Sequence, residues 1–288
     1  MTYLGPMRRM SGPQRRMTAL VALAGATASA AFAYTATGSA QASPPATGAA
    51  AARHAHHAPA DQGGISTPAG NAQPAAFDLV STSVRRVGNR LVFLNRVVGH
   101  AGSVRPRPQG SLAGSGVLSY VWPTTLDPST VGFPRGSGIL ALAATSHPDF
   151  DDTPRYDENR DGHRDNDGAH WHAHWVVLVA DATRADGALK VRDIAEGEQP
   201  ELPKTWPGVP LLLDSPPYAT QVLRHAVRID VPLSAVGGDT TFRYDGVTAA
   251  LRINADLHDP LLRVENVFDV ASGDLSLPGT VVHRHRRP

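Results

Sequence analysis

The chain has 288 residues, with 27 Lys and Arg, 26 Asp and Glu, 13 His and no cysteine. The missing thiols exclude disulfides, zinc ribbons and thiol catalysis. Four of the basic residues and none of the acidic ones lie in residues 1–42, so the remainder carries a formal net charge of −3 and offers no electrostatic footing for nucleic acid.

Residues 1–42 have the layout of a secretory signal peptide. Arg8, Arg9, Arg15 and Arg16 make a basic start, residues 17–33 are apolar and Ala-rich, and Ala40-Gln41-Ala42 is a small-x-small cleavage site. The apolar run is too weak for a permanent span, which predicts an exported protein, periplasmic or secreted, with no stable membrane anchor. Arg15-Arg16 loosely fits a twin-arginine signal. Residues 43–76, rich in Ala, Pro, Gly and Thr, predict a disordered linker. Within it His54, His56 and His57 form a short tract of a kind that binds metal weakly.

Strand-like alternation then begins and does not stop. Strands are predicted at 77–84, 90–98, 117–122, 139–145, 169–180, 189–194, 221–231, 240–254 and 262–270, with a hairpin turn at Gly88-Asn89. Six prolines between Pro200 and Pro217 predict an extended surface excursion. No segment holds a helical apolar period. The pattern predicts one all-β domain over residues 77–282, a β-sandwich rather than a closed barrel, followed by a basic tail at 283–288.

The unusual chemistry is concentrated in residues 147–175. Eight carboxylates fall between Asp149 and Asp167, and such a density in an ordered loop calls for a counter-ion. Asp157, Asn159 and Asp161 occupy alternate positions followed by Gly162, the opening of an EF-hand-type loop. His163 could add its backbone carbonyl, and Asp165 and Asp167 further oxygens. These residues are the candidate calcium ligands. Gly168 stands where an EF-hand closes with Glu, and no helix pattern flanks the loop. The run therefore resembles the helix-free calcium loops of dockerin and thrombospondin type 3 repeats, which implies a structural calcium.

His170, His172 and His174 follow at alternate positions. Residues two apart share one face of a strand, so the His row continues into Val176, Leu178 and Ala180, while Trp171, Ala173, Trp175 and Val177 take the other face. His147 ends the preceding apolar strand. Antiparallel pairing across the acidic loop would set it beside His170 or His172. His147, His170, His172 and His174 are thus the candidate transition-metal ligands, for zinc or copper. A competing expectation is that the His row hydrogen-bonds the loop carboxylates.

His172-Ala173-His174-Trp175 is similar to the H-x-H-W strand motif of α-carbonic anhydrases, although Val176 stands where those enzymes have Gly. The run from Pro148 through Val179, with residues 121–133 before it and 272–281 after it, resembles a group of exported bacterial proteins without an assigned activity. The opening strands at 77–99 resemble carbohydrate-binding and DOMON-like sandwich domains, which implies fold rather than activity. Taken together, the sequence predicts an exported, calcium-stabilised β-sandwich that binds a small molecule, a glycan or a metal. Tyr120, Trp122, Trp171, Trp175, Trp206 and Tyr218 are candidate glycan platforms, and His225 reads as a core histidine. The alternative is a metal-dependent hydrolase or lyase, or an envelope metal-handling protein, using the His strand. No catalytic residue and no organic cofactor is assigned.

Overall fold

The computed structural model describes residues 63–106, 114–147, 170–254 and 261–283, all within the compact unit Ala52–Pro288. The predicted signal peptide, the tract His54, His56 and His57, the acidic loop and the last five residues lie outside the described residues.

Among the described residues all regular structure is strand, apart from short 3-10 turns. In chain order the strands are β1 (Ile65–Ser66), β2 (Leu79–Val87), β3 (Arg90–Val97), β4 (Gly116–Pro123), β5 (Ile139–Ser146), β6 (His172–Ala180), β7 (Leu189–Val191) and β8 (Leu213–Asp214). They continue as β9 (Ala219–Leu223), β10 (Ala226–Pro232), β11 (Arg243–Tyr244), β12 (Val247–Ile253), β13 (Leu262–Val270), β14 (Gly279–Thr280) and β15 (Val282–His283). No helix among the described residues is long and apolar enough to cross a membrane.

Two large sheets carry the fold. The first runs β1-β2-β3-β10-β9, with β15 parallel to β2. The second runs β5-β4-β12-β13-β7-β6-β8, and an added β5–β6 pairing closes it into a six-stranded ring. The all-β expectation holds. The ring is a feature that the expected sandwich does not contain: sheet packs on sheet, but the second sheet also curls around an interior of its own.

Alternation explains how one sheet serves two interiors. Tyr120 and Trp122 of β4, Leu140 and Leu142 of β5 and Trp175 and Val177 of β6 face the first sheet. There they meet Leu91 and Phe93 of β3 and Val227, Ile229 and Val231 of β10. Phe93 takes Trp122 and Trp175 edge-on at 5.9 and 6.3 Å between ring centres, the arrangement that ring quadrupoles favour. The intervening residues point into the ring: Val117 and Val121, Ala141 and Ala143, Val176 and Leu178, Ala249 and Leu251.

Several boundaries differ from expectation. The ordered domain starts before Phe77: Ile65, within the predicted linker, is buried, and β1 pairs with Ser81 and Thr82. A single large apolar residue in Ala/Pro-rich surroundings leaves no periodicity to read. The basic tail begins later than predicted, because His283 still pairs with Arg86. The predicted strand 221–231 is a hairpin, β9 and β10, turning at Arg224-His225. His225 is therefore exposed, not core, and its Nδ1 lies 2.8 Å from the Gly99 carbonyl. The Gly88-Asn89 hairpin is as expected: Val87 pairs with Arg90, and Gly88 takes the positive φ of 59° that the first position of a type II′ turn requires.

The Pro-rich excursion is also more than surface. Leu211, Leu212, Asp214 and Ser215 are buried. The Leu212 carbonyl accepts from Val177 N and the Leu212 amide donates to Arg192 O, at 3.0 and 2.8 Å. Prolines bar this segment from a regular central strand, yet its non-proline residues complete the wall beside the three-residue strand β7.

Candidate metal centre

Strand register assembles the site. Thr145 of β5 lies opposite His172 of β6, and Ala143 opposite His174. His147 follows two residues after Thr145, on the same face, and so falls diagonally across from His172. One ring nitrogen from each of His147, His172 and His174 lies within 4.8 Å of the others. Ring centres are 4.6 Å apart for His172 and His174, 5.1 Å for His147 and His172, and 6.5 Å for His147 and His174. His172 and His174 are only 1% and 5% exposed, and His147 is half-buried.

The hydrogen bonds around the rings decide which nitrogen can take a metal. His172 Nδ1 is 2.9 Å from the His170 carbonyl, and His174 Nδ1 is 3.2 Å from the Asp214 carbonyl. A carbonyl only accepts, so Nδ1 carries the hydrogen in both rings, and Nε2 is the position with a ligating lone pair in the neutral form. Ser215 Oγ, 3.1 Å from His174 Nδ1, shares in the same bond as a second acceptor. Ligating histidines in metal sites are held this way, with the second nitrogen bonded to a carbonyl or carboxylate. Asp214 is itself fixed, its carboxylate accepting from Thr205 Oγ1 at 2.7 Å.

Three histidines in this arrangement could hold a metal ion. Tetrahedral zinc, with bonds of about 2.0–2.1 Å, sets its nitrogens about 3.3 Å apart, so the rings need close in by at most about 1.5 Å. No family model, curated relative or solved structure matches the chain. What the site can do therefore has to be read from its own atoms.

The predicted ligands separate accordingly. His147, His172 and His174 come together. His170 does not join them: it precedes the first β5–β6 ladder pair, its side chain is exposed, and its contribution is the backbone carbonyl that orients His172. Asp157, Asn159, Asp161, His163, Asp165 and Asp167 lie outside the described residues, as does any pairing between the His row and those carboxylates. The aromatic residues named as glycan platforms are largely enclosed. Tyr120, Trp122, Trp171 and Trp175 are buried, and Tyr218 and Trp206 are half-buried, with the Trp175 Nε1–H donating to Tyr218 Oη at 3.2 Å and the Trp206 Nε1–H to the Leu211 carbonyl at 3.1 Å.

Sequence reasoning missed Asp214 and Ser215, which hold His174 from the Pro-rich stretch. The one available signal was the pair of polar residues directly after Leu211-Leu212-Leu213, placed where a surface loop has no use for three leucines. It also missed the interior of the ring. A cavity of about 540 Å³ runs there, with His147 and His174 in its lining beside Ser119, Thr145 and Ser215; the remaining lining is largely aliphatic. A second cavity of about 510 Å³ is lined by His170 and His172 with Arg105, Tyr218, Thr220 and Gln221.

Proposed function

We propose that this chain is an exported binding protein in which His147, His172 and His174 hold one divalent transition metal, zinc or copper. The observation that carries the reading is the pair of Nδ1–H bonds to the carbonyls of His170 and Asp214, which turn two buried imidazoles into oriented Nε2 donors. Imidazole-only ligation suits zinc and copper better than calcium or magnesium, which prefer oxygen. Calcium belongs to the same proposal at a different place. Asp157, Asn159, Asp161, His163 through its carbonyl, Asp165 and Asp167 would staple the loop between β5 and β6, and that part rests on the sequence alone. The expected sandwich relationship to DOMON-like or carbohydrate-binding domains is likewise supported only by strand pattern.

The test is metal content and spectroscopy on untagged protein. One equivalent of zinc or copper per chain is expected, and cobalt substitution should give the absorption of a four-coordinate nitrogen site. His172→Ala and His174→Ala should each abolish it. Protein that takes up no transition metal at micromolar concentrations would sink the proposal.

A second reading has its own support. Structural zinc is normally closed by four protein ligands, whereas catalytic zinc keeps three and a water. Three histidines, two of them, His147 and His174, lining the ring cavity, fit a hydrolase or lyase in which a bound metal would activate water. Turnover of a small ester or hydration of carbon dioxide by the zinc-loaded chain, lost in His174→Ala, would favour it.

A further inference from the structure

We infer that the interior of the ring is the binding site for a monocarboxylic acid with an apolar tail, whose carboxylate lies at the end bearing His147, His174 and Thr145. The inference rests on the metal reading above and names what the metal would face. The cavity, about 540 Å³, is of the size that encloses a small organic ligand. Its wall is aliphatic over most of its length, from Val117 and Leu178 to Leu251 and Val264, which suits an apolar tail.

Polar groups converge with the histidines, where Thr145 joins His147 and His174 on the lining. Thr145 lines the cavity, is 7% exposed, and its Oγ1 has no hydrogen-bond partner among the described residues. A buried hydroxyl left this way is costly, and its O–H can donate to a carboxylate oxygen. Ser119 differs, since its hydroxyl already donates to the Ala249 carbonyl at 3.0 Å. A divalent cation held by three neutral imidazoles would retain its full charge and would favour a carboxylate as a further ligand. The charged residues elsewhere on the lining are already paired: Arg184 with Asp186, which also accepts from Ala188 N at 3.2 Å, and Glu265 with Arg252 at 2.7 Å. The head group therefore belongs at the histidine end and the tail in the aliphatic wall.

The test titrates saturated acids, from hexanoic to hexadecanoic, into the full chain by calorimetry, zinc-loaded and metal-free, with zinc affinity measured separately. Affinity should rise about three- to fourfold per added methylene and then level off once the cavity is full. Methyl esters of the same acids should bind at least tenfold more weakly, and so should the acids to metal-free protein. Ala249→Phe, which fills the aliphatic wall, should cost at least tenfold in acid affinity and leave zinc affinity unchanged. Should that variant fail to fold, Val264→Trp at a half-buried position serves the same purpose. Normal zinc binding without acid binding, or without chain-length dependence, overturns the inference and leaves the metal reading standing. Acid binding equal with and without zinc, or equal for acid and ester, overturns the assignment of the head group. Absence of zinc binding overturns the metal reading, which the separate zinc titration reveals directly.

Discussion

Truncating Leu212 tests whether the Pro-rich excursion builds the candidate metal site. Leu212 is fully buried in the core between the sheets and bonded through both backbone groups, to Val177 and to Arg192. Leu212→Ala removes about three buried carbon atoms and leaves a cavity that prolines on either side keep from collapsing. Substitutions of this kind cost about 3 kcal/mol or more. In a domain of this size that lowers Tm by roughly 6–12 °C. The second effect is specific. Asp214 and Ser215 follow two and three residues later and accept the Nδ1–H of His174. Loosening them loosens the ring, and losing such an outer contact costs about tenfold or more in metal affinity. The assay is thermal unfolding of metal-free protein together with a zinc titration at a temperature where the variant is folded. Glu201→Ala, exposed on the same excursion, should change neither. If Leu212→Ala lowers Tm while zinc affinity stays at the wild-type value, the excursion is packing alone and does not orient His174.

Two further outcomes are expected. Burial pushes the hydroxyls of Tyr120, Tyr218 and Tyr244 from 10 up to about 12. A raised value means that their stabilisation is complete below pH 10 and is lost as pH rises from 10 through 12. At pH 11 the three together cost about 4 kcal/mol, so the tyrosinate absorbance of these three, out of six in the chain, should appear together with unfolding in one cooperative step; more than three tyrosines titrating near pH 10 in folded protein would contradict this. Gly138→Ala should destabilise by about 1–3 kcal/mol in urea, as overpacking does. Gly138 has a φ of 148°, and an added Cβ would lie 2.5 Å from the Leu178 carbonyl and 2.8 Å from a Val177 methyl. Because the clash falls at the far end of the β5–β6 ladder from the histidines, zinc affinity should be retained; an unchanged urea midpoint would mean that the seam there is looser than described.

The strands around the site were legible because their faces differ in chemistry. β6 with the residue before it reads directly as histidines and then aliphatics on one face, and as Trp171 and Trp175 with small and aliphatic residues on the other, and the packing follows that division. The partnership of His147 with His172 followed from one antiparallel pairing. Closure of the ring was not legible. It depends on β7, three residues long, of which Lys190 makes the one ladder pair with β13, to Arg263. No period can be read from three residues. The turn at Arg224-His225 carries none of the Gly, Pro or Asn that mark a reversal, so two strands read as one. The role of Asp214 and Ser215 was hidden because it uses a backbone carbonyl and a hydroxyl from a stretch whose prolines speak only of irregular chain.

The strand β6 is a party wall. Its tryptophan side is clamped by the first sheet, and its histidine side looks into the ring. A shift of one residue would exchange the two faces and place imidazoles among the aromatics, so the packing against the first sheet denies the histidines any other register. The donors stand in place before a metal arrives. Loading should thus need little ordering of the backbone, proceed quickly, and leave the far-ultraviolet signature of the sheets as it was.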